Sequence, residues 1–406
     1  MFPKFPGFTE DSGFHASLVV ESRLQRSIPP REFEKFRTYT SPNQVVVEAV
    51  QLFFAELEYL SENTPAEVLL VCVPDVLLEV MSAELAPESE DEDDGDGREA
   101  ALDFHHLLKA KCMELRKALP IQIVLPETYT GKARRRKTRP DRFRRLQDEA
   151  TRAWNIHTAI YYKANGVPWR MLRDSTQLTT CFVGVSFYKT LDESALRTSI
   201  AQVFNERGEG VIVRGGAAQV SRDDRQPHLS GEDAFRLLDD ALERYRQEHR
   251  NLPARIAMHK TSRYTDAERD GFLQAANAKH VTSIDLTVVD RSLTRLFRAG
   301  RYPPLRGTFL NLDEKSHRLY TRGGVDFFST YPGLYVPRSL ELLCDTCEQT
   351  PRYLAQEILA LTKMNWNNTQ FDGFSPITVR AARQVGHILK YVGEGGRIQP
   401  RYSYYM

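Results

Sequence analysis

Cysteine and tryptophan are scarce in this chain, five and three among 406 residues, which excludes a disulfide-stapled scaffold. The cysteines (Cys72, Cys112, Cys181, Cys344, Cys347) are odd in number, and four lie in apolar or helical contexts. That reads as reduced thiols in a cytoplasmic protein. No apolar run approaches the ~18 residues of a membrane span, so no membrane partner is expected. The opening MFPKFPGFTEDSGF lacks the basic leader and apolar core of a secretory signal. Charge of one sign is missing too: 55 Lys+Arg face 54 Asp+Glu, a formal +1. A uniformly basic coat is thereby excluded, but the balance hides two blocks. Residues 88–99 hold eight acids and one base, and residues 132–145 hold nine bases and one acid.

Motifs of common catalysts are absent as well. There is no G-x-x-x-x-G-K-[ST], no G-x-S-x-G and no H-E-x-x-H. The pairs Gly215–Gly216 and Gly323–Gly324 read as turns, not as a dinucleotide fingerprint. Cys344-Asp-Thr-Cys347 has no second pair nearby, and a zinc site needs four ligands, so it reads as two unrelated thiols at a strand-to-helix junction.

What is present is an ordinary globular composition, 41% hydrophobic and 27% charged, long enough for two domains. Residues 1–40, rich in Pro, Phe and Arg, read as an irregular segment. Helical spacing over 42–60, a buried parallel strand at 67–74, a helix at 101–119, a strand at 121–126 and a helix ending near Lys163 make a first α/β unit. From Thr179 the strands 181–189, 210–217, 254–260 and 283–290 interleave with helices at 232–250, 351–365 and 378–392. That is a second α/β domain.

His105 and Lys109 stand at i and i+4 on one helix, Gln122 opens the next strand, and Lys163 ends the later helix. Such donors at chain turns suit an anion pocket for a terminal phosphate; solvated helix charges and an edge glutamine are the plain alternative. The block containing Arg134, Arg135, Arg136 and Lys137 suits a nucleic-acid backbone, or else a solubilising loop or an acidic partner. The strand ends of the second domain offer Ser186, Gly215–Gly216 and His259–Lys260 rather than the carboxylates that two-metal cleavage requires.

Several stretches in order then resemble one family: FHHLLKA (104–110) with LPIQ (119–122), TAIYYKANGVPWRM (158–171), RIAMHKTSRYTDAE (255–268), LALTKMNWNNT (359–369) with SPITVRAA (375–382), and the terminal RYSYYM. Together they look like prokaryotic Argonaute proteins, and more narrowly the short class with MID and PIWI domains and no room for the N-terminal and PAZ domains. The resemblance implies an α/β chain with a Rossmann-like MID domain over 41–172 (acidic loop 86–99, basic loop 131–145) and an RNase H-like PIWI domain over 173–406.

It implies a guide RNA whose 5′-phosphate is held by His105, Lys109, Gln122 and Lys163, helped by Mg2+ on Gln122 and the Met406 carboxylate. The target would be single-stranded DNA. Ser186, Gly216, Lys260 and Arg383 stand at positions resembling the cleaving Asp-Glu-Asp-Asp/His set, so no catalysis is expected, and the cationic replacements would lie near the strand's phosphates. Output would come from an APAZ-containing effector subunit of TIR, sirtuin-like or nuclease type, in defence against plasmids or phage. Two other readings stay open: a self-sufficient nuclease using Asp192, Glu209, Asp285 or Asp372, and a non-guided scaffold for an acidic partner.

Overall fold

The computed structural model describes residues 7–11, 13–81, 102–132, 146–172, 178–203, 210–297, 303–325, 336–367, 373–393 and 395–406. The acidic loop, the basic residues Arg134–Lys137, and Glu209 and Asp372 lie outside them. The expected boundary at 172/173 adjoins another such stretch, 173–177.

The first half runs α1 (Pro30–Glu34), α2 (Pro42–Asn63), β1 (Leu69–Cys72), α3 (Asp75–Val80), α4 (Phe104–Cys112), β2 (Ile121–Val124), α5 (Pro126–Thr130) and α6 (Glu149–Lys163). α2 starts where Ser41 accepts from the Gln44 amide and Pro42 supplies a preset φ at the first helical position. Its Val45, Val46, Ala49, Val50, Phe53 and Leu57 fall on one face and are buried. β1 and β2 pair in parallel, Leu69 opposite Ile121. The expectation of a buried β1 needs correcting: its residues alternate, Leu69 at 4% exposure against Leu70 at 45%, because β1 lacks cover on that face among the described residues, while β2 beside it has Lys163 of α6 on Gln122. The opening segment is also less irregular than its composition implied, with two 3-10 turns flanking α1. Phe14 stacks on Tyr161 of α6 at 4.6 Å, tying the start of the chain to that helix.

The second half runs β3 (Thr180–Lys189), β4 (Leu196–Val203), β5 (Gly210–Ala217), β6 (Gln219–Val220), β7 (Pro227–His228), α7 (Gly231–His249), β8 (Arg255–Lys260), α8 (Asp266–Ala278) and β9 (Ser283–Arg291). It continues with β10 (Phe309–Asn311), β11 (Ser316–Leu319), β12 (Leu340–Thr346), α9 (Pro351–Leu361) and α10 (Ile377–Leu389). Eight strands form one sheet in the order β10-β11-β12-β9-β8-β3-β4-β5. β3, β8 and β9 are mutually parallel, and the remaining pairings are antiparallel.

α7 and α8 cover one face, where Val183, Val185, Leu238, Leu242 and Phe272 form a core. α10 covers the other so closely that a Cβ at Gly184 of β3 would stand 2.0 Å from the Thr378 carbonyl oxygen. A third cluster joins the halves: Ala159 and Tyr162 of α6 pack with Trp366, with Ala381 and Val385 of α10, and with Tyr402, Tyr405 and Met406.

Candidate phosphate-binding site

The four donors singled out in the first half converge. Just past α6, Asn165 has a φ of +68°, which leaves the helical path and fixes Lys163 at the helix terminus. Lys163 is 2% exposed; its Nζ donates to the Ile121 carbonyl at 2.8 Å and to Gln122 Oε1 at 2.7 Å. Lys109, 4% exposed, donates from Nζ to the Tyr405 carbonyl at 3.3 Å, which brings the terminal aromatic segment to the site. His105 lies one turn N-terminal of Lys109 on α4.

Burial pushes the Lys163 ammonium well below its ordinary range, and the charge of Lys109 pushes it further. Burial likewise holds the His105 imidazole well below 6.5, reinforced by Lys109, His106 and Lys163. An anion placed among these groups would offset the cost of charging Lys163 and His105.

Two small clefts flank the group. One of about 160 Å³ is lined by Lys163, Asn165, Arg401, Ser403 and Tyr404 among others. Another of about 130 Å³ is lined by Gln122, Arg152, Asn155 and Asn367 among others. Arg401, Arg152 and Asn367 carry no sequence signal linking them to Lys163 or Gln122. Arg401 reaches the site because its guanidinium donates to Asn165 Oδ1 from across the chain.

The oxygen donors suit a hard cation such as Mg2+ in kind. Gln122 Oε1 keeps a second lone pair beside its bond from Lys163, and Met406 is 3% exposed within the cluster that includes Tyr405.

The residues at the resembling catalytic positions divide between the two faces of the large sheet. Ser186 shares the α10 face with Gly184, and α10 carries Arg383. His259 is on that face too: its Nδ1 meets Thr378 Oγ1 at 2.9 Å, so it packs and hydrogen-bonds. The next residue, Lys260, points the other way. Its Nζ is fully buried, 2.5 Å from Glu268 Oε1, and also donates to the Arg263 carbonyl. The expectation that Lys260 would lie near a strand's phosphates is corrected by this alternation: one step along a strand reverses the face. Gly216 turns toward α7, where a Cβ would come 2.7 Å from Asp233 Oδ1.

Of the acids open to a nuclease reading, Asp192 shapes the β3–β4 turn through Thr190 and Ser194, and those bonds draw its pKa down to about 2. Asp285 is buried against Arg255 at 2.6 Å and accepts from the Glu348 and Gln349 amides. Cys344 and Cys347 are both free thiols where β12 leads toward α9, and Cys347 donates to the Leu286 carbonyl at 3.6 Å.

This architecture, a small parallel α/β unit followed by a large mixed sheet flanked by helices, is Argonaute-like, of the MID and PIWI type. The Argonaute of Clostridium butyricum, solved bound to a guide DNA with a 5′ deoxycytidine and a 19-mer target DNA, superposes with a TM-score of 0.61 at 16% identity. The match covers 86% of this chain and 41% of that one, so this chain spans about two fifths of that Argonaute's length. No protein-family model and no functionally curated protein matches the sequence. Among the described residues, no helix is long and apolar enough to cross a membrane.

Proposed function

We propose that this chain is a short Argonaute that holds the 5′-phosphate of a guide RNA at His105, Lys109, Gln122 and Lys163 and recognises single-stranded DNA through that guide, without cutting it. The observation that carries the reading is the pair of buried lysines, Lys109 and Lys163, with Lys163 Nζ 2.7 Å from Gln122 Oε1. A phosphate entering there replaces repulsion with charge-assisted hydrogen bonds. Base pairing reads the sequence while the protein grips backbone and shape.

Gln122 and the Met406 carboxylate would hold Mg2+, which would neutralise phosphate charge. Ser186 and Arg383, neither a carboxylate, support a PIWI domain without two-metal chemistry. Output then falls to an APAZ-containing effector subunit of TIR, sirtuin-like or nuclease type, in plasmid or phage defence.

The test is binding of labelled RNA bearing either a 5′-phosphate or a 5′-hydroxyl. The phosphate is expected to tighten binding about tenfold or more, since a charge-assisted bond contributes ~1.5–3 kcal/mol. His105→Ala combined with Lys163→Ala should abolish that preference, and Ser186→Ala should leave it unchanged. Equal effects of the two changes would reject the pocket. Specific cutting of a matched DNA target in Mg2+ or Mn2+ by the purified chain would reject the inactive assignment.

A further inference from the structure

Sharing His105 with the proposed phosphate pocket, at the N-terminus of α4, Asp103, His105 and His106 bring one ligand atom each to within 4.8 Å of one another. The two imidazole rings are stacked, 5.5 Å apart and 21° from parallel, so both must turn for their nitrogens to face one ion. Asp103 is the helix N-cap, its Oδ1 accepting from the His106 amide at 2.8 Å and standing 3.3 Å from His106 Nδ1. The Asp103 amide donates to the Tyr391 hydroxyl at 2.9 Å, so the backbone of Asp103 is held from the second half of the chain. A third imidazole, His387 of α10, has its ring 5.6 Å from that of His106.

We propose that Asp103, His105 and His106 form a binding site for one borderline divalent transition metal, Zn2+ first, with His387 near enough to add a fourth donor by a rotamer change. Imidazole nitrogens with one carboxylate are a zinc-type donor set, unlike the all-oxygen set suited to Mg2+. Metal–ligand distances of about 2.0–2.2 Å require the three side chains to draw together by rotation. The buried cations Lys109 and Lys163 lie in the adjoining pocket. Those cations oppose a second positive centre, and the Asp103 charge offsets them. A metal here would clamp α4 to α10 at the junction of the two halves.

The full-length chain, stripped with chelator and free of nucleic acid, is titrated with Zn2+ by calorimetry and with Co2+ by visible absorption. One metal per chain is expected, with a Co2+ spectrum lacking thiolate charge-transfer bands. Asp103→Asn keeps the cap and removes the charge; it and His106→Asn should each weaken binding about tenfold or more. Replacing Cys344 and Cys347 by serine should change nothing. Failure to take up one metal, or uptake unchanged in both Asp103→Asn and His106→Asn, overturns the site.

Diethyl pyrocarbonate footprinting of the unmutated chain supplies a second reading independent of variant folding. Zn2+ should shield His105 and His106, and unchanged labelling rejects the proposal. No arm contains a guide or target, so failure here leaves the phosphate reading standing, and failure of that reading leaves this one.

Discussion

Buried on β8 and bonded to Thr378, His259 has its pKa pushed down to about 3, chiefly by burial and then by the Arg255 charge. In the unfolded chain the same imidazole titrates near ~6.5. Above that pH both states are neutral and the full stability is present. Below it the unfolded chain binds the proton first, so stability falls by about 1.4 kcal/mol per pH unit down to pH 3. Urea unfolding at pH 7 and pH 5 should therefore show the wild type losing about 2 kcal/mol more than His259→Gln. Equal losses would remove His259 as the source. At this scale His105, Lys109, Gln122 and Lys163 could be grouped only as polar residues at chain turns, and the structure adds that Lys163 bonds Gln122 and is buried with Lys109. Lys260 was misread because a strand hides which face a residue takes until the packing is known. Its ion pair with Glu268 of α8 leaves both side chains fully buried.

Among elements, the long helices α2, α6, α7 and α10 announce themselves through apolar spacing, and their observed bounds lie within a few residues of those read from sequence. β4, α8 and the strands β10 to β12 do not. β4 (LRTSIAQV) has a mixed pattern, and α8 packs mainly through small residues, with Phe272 its one large buried apolar side chain. Neither carries a strong period, so their places come from tertiary pairing. α10 seats on β3 through the missing side chain of Gly184, and Gly184→Ala would force a backbone carbonyl aside. That substitution should cost about 3 kcal/mol. Chemical denaturation measures it, and a loss below ~1 kcal/mol would mean the helix can slide without penalty.

For the molecule as a whole, the two charge blocks matter more than their near-zero sum. If Arg134, Arg135, Arg136 and Lys137 neutralise guide phosphates, replacing all four with serine should flatten the plot of log affinity against log salt. The slope should change by about 0.7 for each phosphate no longer neutralised, up to roughly 3. Affinities across a salt series measure it, and an unchanged slope would assign the block to another partner. The halves are held together by a shared apolar cluster, with Trp366 fully buried and its ring 4.3 Å from that of Tyr162.

The sequence by itself determined the α/β alternation, the main helices and the four polar donors, because these follow from local period and residue chemistry. Only the tertiary structure decided that Lys109 and Lys163 are both buried, with Lys163 bonded to Gln122. It also turned Lys260 from Ser186 toward α8, and set the paired imidazoles of α4 beside His387. Those facts depend on which faces meet across long stretches of chain, and no local pattern encodes a meeting of distant faces.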